Sequence, residues 1–180
     1  MISQKSMSDR ELLESHKNNI IKDLQFKHEP IVLYEDEAFT FFRENVPVYH
    51  NKSDKQILQR ANGYFHHVNL SQDYANTGVV CIFNGQIGTL AHELCHAKQF
   101  QENNKWMGSK KWMKLLYKTG YAFYPTEREA FRYAENYLKS CKLDELASSY
   151  KLHTRKVILK NVLQWCTIIF LCLFVLAMFK

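Results

Sequence analysis

An α+β domain followed by one membrane-spanning helix is the fold class this sequence predicts. Short strand candidates at 31–34, 64–70 and 78–83, the last rich in β-branched residues, are set among stretches of helical periodicity. A further run, 162–179, carries no charge at all. The chain has 180 residues, 46% hydrophobic and 14% aromatic, which suits one domain with an appendage and excludes a disordered chain. Six Gly and three Pro exclude collagen-like and linker compositions. Five Cys, an odd number without a C-x-x-C pair, argue against a disulfide framework and fit a reducing compartment.

Taken in order, Ser8-Asp9-Arg10-Glu11 reads as a capping box, and leucines, isoleucines and Phe26 follow at helical spacing. That predicts a helix over about 9–26, stopped by Pro30. Ile31–Tyr34 is short and apolar, like a strand. Residues 35–52 fit neither pattern. Ser53-Asp54 caps a short helix through Arg60, and Asn62-Gly63 is a turn dipeptide. Strands are expected at Tyr64–Leu70 and Gly78–Phe83, the second closed by Asn84-Gly85. A long helix is expected over Gln86–Gln101. After Gly120, Pro125 suits a helix first turn, and the pattern continues from Thr126 to Cys141.

The uncharged run from Val162 to Phe179 is eighteen residues long. At 1.5 Å per residue it extends about 27 Å, close to the hydrocarbon thickness of a bilayer. Gln164, Thr167 and Trp165 lie near its start, at interfacial depth. Only Lys180 follows, so the run reads as a tail anchor rather than a buried core helix. The expected organisation is a domain over 1–150, a basic juxtamembrane segment over 151–161 and a transmembrane anchor over 162–179. The positive-inside rule places the basic segment and the N-terminal domain in the cytoplasm, and the polar N-terminus lacks the apolar core of a signal peptide. Of the formal charge of +6, five positives are Lys151, Arg155, Lys156, Lys160 and Lys180, with no acid beyond Glu145. Residues 1–150 are therefore near neutral and lack the basic footprint that nucleic-acid binding needs.

The chemistry is concentrated in His92-Glu93-Leu94-Cys95-His96, an H-E-x-x-H on the expected long helix. Positions i and i+4 share one helical face, so both imidazoles can converge on one ion. Zinc suits such a site, because it accepts nitrogen and oxygen ligands and keeps a position for water. Glu93 leans toward that water and can act as general base. The bland alternative is a surface helix with two solvated histidines. A third ligand is owed, and Glu127 is the candidate. On a helix it shares a face with Ala130, Phe131 and Ala134, where a carboxylate needs a cation partner. Its alternative reading is an ordinary first-turn acid favoured by the helix dipole. Glu129 points about 160° away on a regular helix, toward Arg132 and Tyr133, and reads as solvated or as a support to the ligands.

HELCH followed by the Glu127-Arg128-Glu129-Ala130 segment resembles the gluzincin branch of zinc metallopeptidases, whose third ligand is a downstream glutamate. The resemblance covers about residues 62–140. It implies a small zincin-like domain, with His92, His96 and Glu127 as zinc ligands and Glu93 as base. It also implies that GVVCIF is the edge strand beside the active-site helix, pairing with extended substrate. Where membrane-bound gluzincins often carry Asp after the alanine, this chain has Phe131. A Tyr or His steadying the tetrahedral intermediate is expected by analogy, with Tyr121, Tyr124, Tyr133 and His153 as candidates.

The remaining features are quieter. Cys95 turns off the two-histidine face and reads as a packed thiol. Cys166 and Cys172 fall in the span. His66 and His67, neighbours on a strand, point to opposite faces and read as exposed. His16, His28 and His50 show no partner pattern. Lys98–Lys118 carries six Lys against Glu102, with Trp106 and Trp112. It fits a membrane-surface patch, a flap or a plain solvated face. Together these features lead us to expect a tail-anchored zinc peptidase that acts on a peptide or protein substrate and contacts lipid through its C-terminal helix. The alternative from another class is a catalytically inactive, membrane-tethered binding or scaffold protein of the same fold. A membrane-lytic protein is the weakest third reading.

Overall fold

A computed structural model of the chain describes residues 9–59, 61–66, 77–102 and 124–178. The architecture is α+β, mostly helical, with a three-stranded sheet and one long apolar C-terminal helix. Helix α1 spans Asp9–Leu24. It stops two residues short of Phe26 because Gln25 turns left-handed (φ 52°), its amide donating back to Ile21 O. Ser8, the expected cap, lies outside the described residues. Strand β1 is Ile31–Tyr34.

The segment without a clear pattern resolves into helix α2, Glu35–Asn45, and a 3₁₀ turn at Pro47–Tyr49. Glu35, Asp36 and Glu37 sit at the positive end of the α2 dipole, and Ala38, Phe39 and Phe42 form its buried face. Helix α3 is Asp54–Leu58, where Gln56 Oε1 accepts the Ser53 amide at 3.0 Å, half of the capping exchange. Strands β2, Gly63–His66, and β3, Val79–Ile82, complete the sheet. The remaining helices are α4, Ile87–Gln101, α5, Pro125–Ser140 with Pro125 in its first turn, and α6, Asp144–Met178.

Strand order is β1-β3-β2, with β1 parallel and β2 antiparallel to β3. Ile31 pairs with Val79 on one side of β3, and Gly63 pairs with Ile82 on the other. GVVCIF is therefore the central strand, not the edge strand. All four residues of β3 are buried, and a continuous apolar run is what a strand covered on both faces requires. Val80 and Ile82 pack with Leu90, Leu94 and Leu138 on one face. Val79 and Cys81 pack with Phe39, Phe42, Ile57 and Phe83 on the other. One strand thus feeds two cores by its period of two.

Two smaller expectations also change. Asn62-Gly63 is no turn, because Gly63 opens β2 and lies against α4. His66 is buried rather than exposed, its ring edge-on to Phe41 at 5.8 Å. His67, the rest of the strand expected to Leu70, and 103–123 with Trp106, Trp112 and Tyr121 lie outside the described residues.

Candidate metal centre

Helix α4 is the spine of the molecule, with twelve of its fifteen residues buried. It lies on β2 and β3, and packs against α1 and most extensively against α5. Ala130 and Ala134 are fully buried, so α5 offers small residues on the face that also carries Glu127. The reading of His92 and His96 as solvated surface residues is thereby overturned: they are 5% and 8% exposed, and Glu127 2%.

The three side chains meet. His92 Nε2 lies 3.2 Å from Glu127 Oε2, and His96 Nε2 lies 3.3 Å from Glu127 Oε1. The two Nε2 atoms are 3.1 Å apart. At that separation two lone pairs repel, so a proton or a metal cation belongs between them. Two imidazoles and one carboxylate, with donor atoms all within 4.8 Å of one another, form a buried group able to hold a metal ion. Glu127 Oε2 is buried with only the His92 imidazole near it, a costly arrangement for an anion unless a cation, whether a protonated imidazole or a metal, neutralises it. The electrostatics agree. Burial alone would raise the Glu127 carboxyl, but His96 and His92 hold it far below the ordinary range. Burial would likewise lower His96, yet the Glu127 charge outweighs it and raises the imidazole to about 9.

A second ring of contacts orients the candidate ligands. Gln99 Nε2 donates to Thr126 O at 3.0 Å and to Glu129 Oε2 at 2.9 Å. Its Oε1 is therefore left to accept from His96 Nδ1 at 2.8 Å. Nδ1 carries the hydrogen, and Nε2 presents its lone pair to the centre. On the other histidine, Nδ1 lies 3.0 Å from Tyr150 Oη, at the start of α6. Burial raises the Tyr150 phenol well above its ordinary value, so it stays protonated. With its Nε2 turned inward, His92 donates from Nδ1 to the phenol oxygen. The Phe131 ring packs against the His92 ring, tilted by 55° with centroids 4.7 Å apart.

Sequence reasoning left Glu129 open between solvent and a supporting role, and its bond to Gln99 is the supporting one. It missed Gln99 and Tyr150 altogether. A signal existed for Gln99, which stands three residues after His96 and hence beside it on the helix. Tyr150 carried only the weak mark of following Ala147 by three positions. Among the phenols and imidazoles expected near the centre, Tyr133 donates instead to Asp23 on α1 at 2.7 Å, and His153 is exposed. Tyr124 is buried at the start of α5.

Glu93 points to the sheet side of the centre. Its carboxylate accepts from the Phe65 backbone on β2. Burial raises its pKa, an effect opposed by the two histidines. Gly63 makes room for it: a Cβ there would lie 2.6 Å from Thr89 Cγ2 and 2.9 Å from Glu93 Cγ. The edge strand can approach α4 this closely only without a side chain. Cys95, inside the motif, is a packed thiol pushed up to about 12 by burial. Comparison of the chain with protein-family models, with curated proteins and with solved structures gives no match, so the chemistry of this centre is read from its own side chains.

Proposed function

We propose that the protein is a zinc-dependent peptidase of zincin-like fold, held to a membrane by α6 and acting on a peptide or protein substrate at its cytosolic face. The observation that carries this reading is the buried convergence of His92, His96 and Glu127 with a second carboxylate, Glu93, one position after His92 on the same helix. A site that only stored a metal would have no use for a second buried acid bound to none of the three.

His92, His96 and Glu127 would hold the ion through two nitrogens and a carboxylate, leaving a position open. Zinc so bound acts as a Lewis acid toward a carbonyl and brings the pKa of water toward neutrality. Glu93, raised by burial, takes a proton from the attacking water at a carboxylate oxygen. It then delivers that proton to the leaving amine nitrogen, so the peptide C–N bond breaks as the new C–O bond is kept. Gln99 and Tyr150 hold the two imidazoles in the required tautomers throughout. The Phe65 amide keeps Glu93 aimed from the strand side.

Glu93→Gln tests this. The amide is nearly isosteric and should leave metal content unchanged while abolishing cleavage of a reduced, alkylated casein. Full activity in that variant refutes the mechanism. Unchanged metal content together with no cleavage of casein by the wild type would favour the inactive binding or scaffold protein instead.

A further inference from the structure

The helix that reaches the membrane is also a wall of the metal centre. From Asp144 to Met178 it runs without Gly or Pro, so nothing in its sequence invites a kink. Tyr150 is locked near its start: its hydroxyl meets His92, its ring stands 6.3 Å from Phe131, and its edge fills the space over Gly88. A Cβ at Gly88 would come within 2.7 Å of Tyr150 Cδ2. Along one face of the helix, at spacings of three and four, Ala147 and Asn161 are buried and Tyr150, Thr154 and Val157 half-buried, while Leu152, Leu159 and Leu163 are exposed. Asn161 is 8% exposed and immediately precedes the apolar run. One face of the helix is thus at least half-covered as far as Asn161, the level where lipid would begin.

Resting on the peptidase and membrane readings above, we propose that α6 is a ruler: it fixes the metal centre at one height above the bilayer, so that the substrates are polypeptides held in the same membrane and cut a short, defined distance outside it. Tyr150 precedes Val162 by twelve residues, about 18 Å along the helix. Helical side chains lean toward the N-terminus, so the centre lies at that height or up to one turn, about 5 Å, farther out. An extended chain advances roughly 3.3–3.6 Å per residue, so about five to seven residues outside a span is the nearest bond that can reach it. A rigid, partly covered helix gives nothing to an enzyme of soluble substrates, which a loose tether would serve as well. For a chain sharing the bilayer it sets both the register of cleavage and a high effective concentration.

The experiment uses the full chain with zinc in liposomes, beside a probe with one membrane span and a 40-residue unfolded tail. Cut positions are mapped by mass spectrometry. Inserting eleven helix-forming residues between Asn161 and Val162 adds three turns, about 16 Å, and nearly preserves the helical phase. The cuts should move outward by about five residues, and energy transfer from a dye at Ser148 to headgroup acceptors should fall. Eleven Gly and Ser residues at the same place should scatter the cuts along the tail. Cuts that stay put while the dye moves outward overturn the ruler. Casein cleavage in detergent separates the two readings: casein cut with unmoved probe cuts leaves a peptidase without a ruler, and no cleavage of either substrate removes both.

Discussion

Helices α4 and α6 invert the usual relation between polarity and burial. α4 buries His92, Glu93, His96 and Gln99 among its twelve covered residues. α6 buries only Ala147 and Asn161 of thirty-five, and leaves Phe170, Leu176 and Met178 exposed by 69%, 65% and 71%. Only 6% of its apolar window is covered by the rest of the protein, so it is not a core helix. Buried polar groups are tolerated when each has a partner, and α4 supplies partners from α5, α6 and β2. Exposed apolar surface of this extent is stable only against something equally apolar, and the apolar run of α6 from Val162 onward, not the whole helix, has about the length of a bilayer's hydrocarbon core. Side-chain chemistry therefore sets what each helix needs, and the need is met by protein around α4 and left unmet by protein along the apolar run of α6.

The largest effect should come from removing a ligand on α4. His96→Ala strands Glu127 as a buried charge, and the cost should be about 3 kcal/mol or more, with loss of bound metal. Thermal unfolding and metal analysis check both, and a stable, metal-loaded variant would show that the centre is not what joins α4 to α5. Next comes a matched pair. Leu94, fully buried, should cost about 2–5 kcal/mol as Leu94→Ala. The same change at Leu173, 60% exposed, should leave unfolding of the body within about 0.5 kcal/mol, since no protein packs there. Equal losses at the two sites would mean that α6 folds back on the domain.

Gln99→Leu should weaken metal binding by about 10–100-fold while keeping the fold, because His96 loses the acceptor that sets its tautomer. Titration with zinc and circular dichroism separate the two effects. The smallest effect is a pH dependence confined to the metal-free protein. His96 is raised from 6.5 to about 9 in the folded state, so the stability it contributes is complete below pH 6.5 and is lost as pH rises toward 9. Tm after chelation should fall over that window, and zinc should abolish the decline by replacing the proton. A flat profile without metal would remove Glu127 from contact with the imidazole.

Local patterns made much of the molecule readable in advance. The core of α1, strand β1, helices α4 and α5 and the long apolar run each announced themselves through periodicity, capping or length. His92 and His96 are one turn apart, so the helix alone aligns them, and Glu127 declared itself as an acid among Ala130, Phe131 and Ala134. The region 35–45 was obscure because three acids precede closely spaced aromatics, and only the core around Phe83 picks out which of them turn inward. The position of Val79–Ile82 at the centre of the sheet rather than its edge, and the meaning of Gly63, depended on strand order.

The paired imidazoles of the candidate metal centre and the existence of an apolar helix were written in the amino-acid order, because each arises from spacing along a single helix. Which groups surround those imidazoles was decided only in three dimensions. Gln99 meets Glu129 across two helices, Tyr150 reaches His92 over fifty-eight positions, and Glu93 finds the Phe65 amide on a strand. Contacts between distant segments depend on how layers pack, and no local periodicity encodes that.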